Sequence, residues 1–387
     1  MTVKTSSARV HGLGTTIFAE MSALANRTGA VNLGQGFPDT DGPSEVVERA
    51  VDALRSGRNQ YAPGLGVPEL RAAIAHHQQR FYGLQLDPET QVAVTTGATE
   101  AIASALLGLL DPGDEIIVLE PYYDSYVAMI QMAGAVRRPV TLRAPDFRLP
   151  IGELRDAISP RTTAILLNSP HNPTGSVLRR EELEAIAEVA IEHDLVVISD
   201  EVYEHLTFDG LPHLPIATLP GMAERTLTIS SGGKSFSFTG WKIGWATGPP
   251  VLVQAMMGVK QFLTYTSGSA LQPAIAHALG ADDAYFADFT ARLQSQRDLL
   301  CDGLAAIGFE VFVPEGTYFV TTDIRPLGFD DGVAFCRELP DRAGVVAIPH
   351  EVFYDDREAG RPLVRWAFCK QPDVIAEALA RLEVLRP

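Results

Sequence analysis

The chain has 387 residues, of which 46% are hydrophobic and 20% are charged, which is typical of a globular enzyme large enough for more than one domain. Its formal net charge of −17 argues against a nucleic-acid or anionic-membrane partner, because phosphate groups attract basic surfaces. The three cysteines include no Cys-X-X-Cys pair, which argues against a disulfide framework or a zinc knuckle.

Residues 1–20 lack the charged and then apolar profile of a signal peptide, and no apolar run is long enough to span a membrane. Cys301, Cys336 and Cys369 are widely spaced, so we expect them to be reduced and inert. These features together predict a cytoplasmic protein.

The middle of the chain alternates between helical and strand patterns. Apolar periodicity predicts helices over 44–56, 67–82, 99–110 and 181–193. Short apolar runs predict strands over 91–95, 115–119, 162–167, 195–199, 225–229 and 243–247. Apolar strands linked by helices predict a mostly parallel mixed sheet that is covered by helices on both faces.

The pattern changes after about residue 275. A long helix is predicted over 283–307, a second one over 374–385, and strands over 309–313, 318–321 and 363–369. We therefore expect an α/β protein with two domains. The large domain covers 43–275, and a smaller α+β domain combines 1–42 with 276–387.

The first candidate site segment is Gly97-Ala98-Thr99-Glu100, at a junction between a strand and a helix. Free N–H groups and the positive end of a helix dipole at such a junction bind phosphate, although a simple capped turn shows the same pattern. No Gly-X-Gly-X-X-Gly fingerprint follows a predicted strand, which argues against a nicotinamide or flavin dinucleotide.

Two further strands are followed by polar residues. Asn172-Pro-Thr-Gly forms a rigid turn at an edge where α/β folds place ligands, and a structural loop remains the alternative. Asp200 ends an apolar strand, where a carboxylate is costly unless it meets a cation or a strong donor. Glu201 and His205 show an i, i+4 spacing that metal ligands can have. Without a third ligand a solvated helix face is favoured, so we expect no metal.

The strongest candidate is Lys234, which lies in a segment of small and aromatic residues, 230–245. Low-polarity walls lower the pKa of an amine toward nucleophilic use, and the nearby Lys242 adds positive charge that also binds anions. A surface lysine in a loop is the alternative. Ser231-X-X-Lys234 also matches serine enzymes that react with β-lactams, but their Ser-X-Asn and Lys-Thr-Gly motifs are not in the sequence.

Arg365 lies in the alternating run Leu363–Phe368, which predicts a half-buried strand. An arginine in that position needs an anionic partner, and its planar guanidinium matches a carboxylate. An internal salt bridge is the competing interpretation.

Together these segments resemble the class I/II aminotransferases of pyridoxal-phosphate (PLP) fold type I, over about residues 16–385. The family order is kept by Gly97-Ala-Thr-Glu, Asn172-Pro-Thr-Gly, Ser-Asp200-Glu-Val-Tyr203, Ser231-Gly-Gly-Lys234 and Arg365. Lys242 and the segments 32–39 and 120–124 are similar to the kynurenine/glutamine/methionine aminotransferase branch. Ser-Pro-His-Asn172 and the segment 200–206 are similar to the actinobacterial N-succinyldiaminopimelate aminotransferases.

The resemblance implies a PLP cofactor and a role for each matching residue. Lys234 binds the cofactor covalently and shuttles the proton, and Asp200 pairs with the ring nitrogen. Asn172 and Tyr203 donate hydrogen bonds to the phenolic oxygen, and Tyr123 stacks on the ring. The phosphate is held by Ala98, Thr99, Ser231 and Lys242.

The resemblance also implies substrate contacts and a homodimer with shared active sites. Arg365 binds the substrate α-carboxylate with help from Asn172 and the backbone at Gly36. Tyr61 reaches the phosphate in the neighbouring subunit, and Tyr265 lines that subunit's pocket.

The implied reaction moves an amino group from an amino acid to a 2-oxo acid such as 2-oxoglutarate. Aromatic residues at Phe18, Tyr123 and Tyr265 favour a donor of the glutamine, methionine, kynurenine or aromatic type. N-succinyl-L,L-diaminopimelate is the alternative donor, and β-lyase activity on cysteine conjugates is an additional side activity.

Overall fold

The computed structural model describes residues 7–386. Its helices are α1 (Ile17–Thr28), α2 (Ser44–Arg55), α3 (Pro68–Tyr82), α4 (Gly97–Leu109), α5 (Asp124–Ala133), α6 (Ile151–Asp156), α7 (Arg180–Glu192), α8 (Gly232–Ser235), α9 (Pro250–Leu263), α10 (Gln272–Leu279), α11 (Asp283–Ile307), α12 (Gly332–Ala343), α13 (Arg357–Gly360) and α14 (Pro372–Leu382). Its strands are β1 (Val31–Asn32), β2 (Val92–Thr96), β3 (Glu115–Glu120), β4 (Val136–Thr141), β5 (Thr162–Asn168), β6 (Val196–Asp200), β7 (Thr226–Ser231), β8 (Ile243–Thr247), β9 (Glu310–Phe312), β10 (Phe319–Asp323), β11 (Val345–Val346), β12 (Ile348–Pro349) and β13 (Leu363–Ala367).

The larger sheet has seven strands in the order β2-β8-β7-β6-β5-β3-β4. Strands β3 to β7 run parallel to one another, whereas β8 is antiparallel to both β7 and β2. Helices α5, α6 and α7 connect β3 to β4, β4 to β5 and β5 to β6, and a longer loop with a short 3-10 turn connects β6 to β7. The predicted α/β class with a mostly parallel mixed sheet is thus confirmed.

Apolar residues cover both faces of this sheet, because successive side chains of a strand point to opposite sides. On β3, Ile116 and Val118 belong to one buried cluster, while Ile117 and Leu119 belong to another. Nearly continuous apolar strands therefore have a partner helix layer on each side.

The parallel strands end at one edge of the sheet and bring polar residues together there. Asn168 at the end of β5 is in register with Asp200 at the end of β6, and Asp200 is in register with Ile229 of β7. In open α/β sheets this edge is where ligands bind.

A second sheet of four antiparallel strands has the order β12-β13-β10-β9, and β1 pairs with β11 in a small parallel sheet. Because the larger sheet lies within 43–275 and the others lie outside it, we propose domains at 43–275 and at 1–42 with 276–387. Residues 1–6 and 387 of the latter lie outside the described residues. Between residues 7 and 386 no helix has the length and apolar character that crossing a membrane requires.

Candidate active site

A cavity of about 420 Å³ opens at the polar edge of the larger sheet. Its wall combines the start of α4, the ends of β5, β6 and β7, and Arg365 from the smaller sheet. Most of the residues expected in the site line it: Gly36, Ala98, Thr99, Tyr123, Asn172, Asp200, Tyr203, Ser231, Lys234, Lys242 and Arg365. The fold therefore brings together segments that are far apart in sequence.

Lys234 lies in the short helix α8, which follows β7 directly. Its Nζ atom donates a hydrogen bond of 2.6 Å to the hydroxyl of Tyr318 and lies 3.4 Å from the carbonyl oxygen of Gly36. Burial lowers the pKa of Lys234 to about 8, and the charges of Arg365 and Lys242 act in the same direction. Part of the amine is therefore neutral near neutral pH, as attack on a carbonyl carbon requires.

Asp200 is buried at the end of β6 and receives two hydrogen bonds. The Tyr126 hydroxyl donates to its Oδ2 atom at 2.6 Å, and the Val202 N–H donates to Oδ1 at 3.3 Å. Burial raises the pKa of Asp200 to about 6, while these hydrogen bonds act in the opposite direction. No lysine or arginine within residues 7–386 forms a salt bridge with it, so a cationic ring nitrogen fits this carboxylate.

The start of helix α4 forms a cradle for an anion. Lys242 Nζ lies 3.3 Å from Thr99 Oγ1, so a cation and a hydroxyl meet the positive helix end. Gly97 has φ = +70°, and a Cβ atom there would lie 3.0 Å from Lys242 Nζ. The glycine therefore keeps this space open. Ser231 lines the same cavity, and the donor set fits a phosphate group.

Arg365 is buried on β13, and all five residues of that strand are buried, so the expectation of a half-buried strand was wrong. The reason is that helices and loops cover both faces. Nη1 donates to Asn172 Oδ1 at 2.8 Å, and Nη2 donates to the carbonyl oxygen of Gly34 at 3.0 Å. The carbonyl oxygen of Gly36 instead accepts from Tyr318 at 2.6 Å.

The guanidinium of Arg365 has an unused donor. Its Nε atom is buried without a hydrogen-bond partner, and its Cζ atom lies 3.9 Å from the centre of the Phe319 ring. Burial lowers the pKa of Arg365 to about 10, which leaves it charged at neutral pH. No described carboxylate forms a salt bridge with Arg365, so the internal ion pair considered from the sequence is not formed. A buried, unneutralised guanidinium fits a carboxylate ligand.

Three more expected residues complete the wall. The Tyr203 ring is perpendicular to that of Tyr318 at 5.3 Å between centres, and the Tyr123 ring is perpendicular to that of Tyr126 at 5.7 Å. Asn172 gives its amide oxygen to Arg365, so its NH2 group is the part that can donate to a ligand.

Tyr61 and Tyr265 do not line the cavity. Their rings pack perpendicular to each other at 5.7 Å between centres, and their exposed fractions are 82% and 47%. Their expected roles concern a neighbouring subunit and stay predictions.

Sequence reasoning missed Tyr126 and Tyr318. Tyr126 is three residues after Tyr123 across the start of α5, so helical spacing could have placed both on one face. Tyr318 precedes β10 in the smaller sheet, and no local sequence signal connects it to Lys234.

Comparison with known proteins identifies the family. The model for Aminotransferase class I and II matches residues 28–382. The chain is 53% identical to the Probable N-succinyldiaminopimelate aminotransferase DapC of Mycobacterium tuberculosis, over 97% of this chain and 98% of that protein. It is 39% identical to the methionine aminotransferase of Escherichia coli, over 96% of each chain. It is 38% identical to mouse kynurenine–oxoglutarate transaminase 3, over 96% of this chain and 88% of that protein.

Solved structures agree with this assignment. The N-succinyldiaminopimelate aminotransferase from Mycobacterium tuberculosis superposes with a TM-score of 0.96 at 53% identity and covers 98% of this chain and 100% of its own. An aspartate aminotransferase from Thermus thermophilus superposes with a TM-score of 0.91 at 36% identity and covers 99% of this chain and 100% of its own. The chain therefore belongs to the class I and II aminotransferases, which are PLP-dependent transaminases of fold type I.

Proposed function

We propose that this aminotransferase interconverts N-succinyl-L,L-diaminopimelate and the corresponding oxo acid, with glutamate and 2-oxoglutarate as the second pair. The observation that carries this proposal is the 53% identity to the diaminopimelate-pathway relative along almost the whole chain. The methionine and kynurenine relatives are 39% and 38% identical. This difference favours the substrate that the sequence had suggested as the alternative.

A second candidate is a donor with an uncharged side chain, such as glutamine, methionine, kynurenine or an aromatic amino acid. The cations that line the cavity are Lys234, Lys242 and Arg365. Each has a proposed role with the cofactor or the α-carboxylate, so within residues 7–386 no cation that lines the cavity is left for a distal carboxylate. Phe18 and Phe319 add apolar surface to the same cavity. The same chemistry would permit β-lyase activity on cysteine conjugates.

We assign the cofactor-holding roles to residues that line the cavity. When bound, PLP supplies an electron-accepting ring that makes the α-hydrogen of an attached amino acid acidic. Lys234 would bind the cofactor covalently, and Asp200 would keep the ring nitrogen protonated. Asn172 and Tyr203 would hydrogen-bond the phenolic oxygen, and Tyr123 would stack on the ring. The phosphate would be held by Ala98, Thr99, Ser231 and Lys242.

Lys234 also acts in proton transfer in this proposal. A released Nζ amine at the Tyr318 hydroxyl is held close to the cavity, where it can take the proton from the substrate α-carbon. Its lowered pKa supports this role, because a general base works best when its pKa is near the operating pH. Tyr318 therefore orients the base without contacting the substrate.

Arg365 binds the substrate α-carboxylate in this proposal. The buried Nε donor and the adjacent guanidinium edge offer a planar pair of hydrogen bonds, and Phe319 stacks on the guanidinium. The Asn172 NH2 group would add a donor, and the backbone at Gly36 would close the pocket beside it. Fixed orientation of the carboxylate places the α-carbon at the same point in every substrate.

We propose a homodimer located in the cytoplasm. Tyr61, Phe262 and Tyr265 are exposed apolar residues, with Phe262 at 84%. A surface of this kind is typical of an interface. Tyr61 of the partner subunit would reach the phosphate, and Tyr265 of the partner subunit would line the pocket. Three buried free cysteines support a reducing compartment.

The substrate proposal is tested by adding single amino donors to the purified holoenzyme without an oxo acid. The visible absorbance of the cofactor reports each half-reaction, and the panel contains N-succinyl-L,L-diaminopimelate, glutamate, glutamine, methionine, kynurenine and phenylalanine. We expect the second-order rate constant for the succinylated donor to be at least about 10-fold higher than those for methionine and glutamine. A higher value for methionine, glutamine or kynurenine would establish the second candidate instead.

A further inference from the structure

A buried polar cluster lies next to the ends of β6 and β7, and its residues do not line the cavity. Although the i, i+4 spacing pairs Glu201 with His205, the structure separates them: Glu201 faces His213, whose Nε2 atom lies 2.8 Å from its Oε2 atom. His205 instead meets His77 and Glu204. One potential ligand atom from each of these three residues lies within 4.8 Å of the other two. We call His77, Glu204 and His205 the His77 cluster.

The His77 cluster joins two elements. His77 lies in the last turns of α3, and Glu204 and His205 follow the end of β6. None of the three lines the active-site cavity. Any ligand they hold is therefore distinct from the cofactor and the amino acid.

Glu204 is the residue that points to a ligand. It is 4% exposed, and its Oε1 atom accepts a hydrogen bond of 2.5 Å from the Ser230 hydroxyl. Its Oε2 atom is buried and has no hydrogen-bond partner. No lysine or arginine within residues 7–386 forms a salt bridge with Glu204. A buried carboxylate oxygen without a donor is costly, and a bound cation removes that cost.

The cluster supplies two imidazole nitrogens that face each other. The Nε2 atoms of His77 and His205 are joined by a hydrogen bond of 2.7 Å, so one of them must be the acceptor. That nitrogen presents a lone pair of the kind that binds a cation. Among the described residues, His76, Arg80, Tyr82 and His213 are ionisable groups near the cluster, the Tyr82 hydroxyl also faces Glu204, and the Glu201 carboxylate acts on Tyr82.

We propose that His77, Glu204 and His205 bind a Zn²⁺ ion, with water as the fourth ligand. Two imidazole nitrogens and one carboxylate oxygen form a ligand set that suits zinc. In the structure the two Nε2 atoms lie 2.7 Å apart in a hydrogen bond. Two nitrogens bound to one tetrahedral zinc lie about 3.4 Å apart, so the rings must separate by about 0.7 Å. His205 is the least buried of the three residues.

The bound ion has a structural role. It connects helix α3 to the turn that follows Asp200. Through the hydrogen bond between Glu204 and Ser230, it also supports the strand that ends at Ser231. His77 Nδ1 is buried without an acceptor, so the ring lacks the hydrogen bond from its other nitrogen that orients the histidine ligands of many zinc sites. We therefore expect weaker affinity than at fully supported sites, together with a rise in melting temperature when zinc binds.

Zinc binding is measured on holoenzyme that has been washed with a chelator and then dialysed against Zn²⁺. Atomic emission gives the zinc content of wild type and of His77→Gln, Glu204→Gln and His76→Gln. His76 is the matched control, because it is exposed and neighbours His77 on α3. We expect about one zinc per chain in wild type and His76→Gln, and loss of that zinc in the other two variants.

Circular dichroism and the cofactor absorbance verify that each variant is folded. Zinc bound to the cofactor instead of the His77 cluster would persist in all of the variants. The partly buried His205→Asn variant decides the result if the buried substitutions do not fold. X-ray absorption at the zinc edge should show two imidazole ligands. The proposal is overturned if wild type holds no more zinc than folded His77→Gln or His205→Asn. Neither result depends on which amino donor the enzyme uses.

Discussion

The Tyr318 hydroxyl lies 2.6 Å from the Lys234 amine and donates its own proton to the Gly36 carbonyl, also at 2.6 Å. Because the Tyr318 proton is directed to the carbonyl, the phenolic oxygen is the acceptor for Lys234. The amine is therefore held by a residue directly before β10 of the smaller sheet, while its backbone lies in α8 directly after β7 of the larger sheet. This contact links the two halves of the fold at the reacting group.

Tyr318→Phe removes the acceptor for Lys234 and should lower kcat by about 10-fold or more, because loss of a hydrogen bond to a charged group costs about 1.5–3 kcal/mol. We expect a smaller change in KM for the amino donor, together with a shifted pH profile. Steady-state kinetics across pH gives both values. The control is Tyr354→Phe, since the Tyr354 hydroxyl is buried without a partner. Equal effects of the two variants would contradict the role of Tyr318.

Asp200→Asn should change how the stability of the apoenzyme depends on pH. Burial raises the pKa of Asp200 from 3.8 to about 6, so the folded state favours the protonated carboxyl. Stability from this group is present below pH 3.8 and is lost as the pH rises through 6. At pH 8 the free energy of unfolding of Asp200→Asn should therefore exceed that of wild type by about 3 kcal/mol. This difference should vanish near pH 4. Urea denaturation at both pH values measures this difference. The same difference at pH 4 and pH 8 would show that burial of the Asp200 charge is not its cause.

Arg365→Lys should reduce kcat/KM for every amino donor by about 100-fold, because a lysine cannot offer a planar pair of hydrogen bonds to a carboxylate. The affinity for PLP should be unchanged, since Arg365 holds the substrate in this proposal. Fluorescence titration of the apoenzyme with PLP provides that control. A loss of cofactor affinity equal to the loss of kcat/KM would show that Arg365 acts on the cofactor.

Tyr61→Phe and Lys234→Ala subunits should complement each other in a mixed dimer. If Tyr61 acts across the interface, one site of the heterodimer combines an intact Lys234 with the intact Tyr61 of the partner subunit. Activity per heterodimer should then reach about half that of the wild-type dimer. If Tyr61 acts within its own chain, no site is intact, and activity per heterodimer should be about half that of the Tyr61→Phe homodimer. Differently tagged subunits purified as mixed dimers allow this measurement.

Several parts of the site could be predicted from the sequence because apolar strands end at one sheet edge. Asp200 and Asn172 were found in this way, and Lys234 was found through its small and aromatic neighbours. The fold class followed from the same apolar strands. Edge strand β4 was missed, because Arg137, Arg138 and Pro139 give it no apolar run.

Contacts between the two halves of the fold could not be predicted from periodicity. Tyr318 reaches Lys234 across 84 residues, and only the packing of the two halves brings them together. Arg365 and Asn172 are 193 residues apart, and their proximity was expected only from the family resemblance, which places both at one carboxylate. Periodicity describes which face of an element is buried, but it does not specify which element covers that face.

Covalent attachment of PLP to Lys234 is tested most directly by reduction of the holoenzyme with borohydride followed by peptide mass mapping. We expect the reduced cofactor on the peptide that contains Lys234, and we expect Lys234→Ala to lose this label while remaining folded. Recovery of the label on Lys242 or another lysine, or a label that persists in Lys234→Ala, would show that Lys234 does not bind the cofactor.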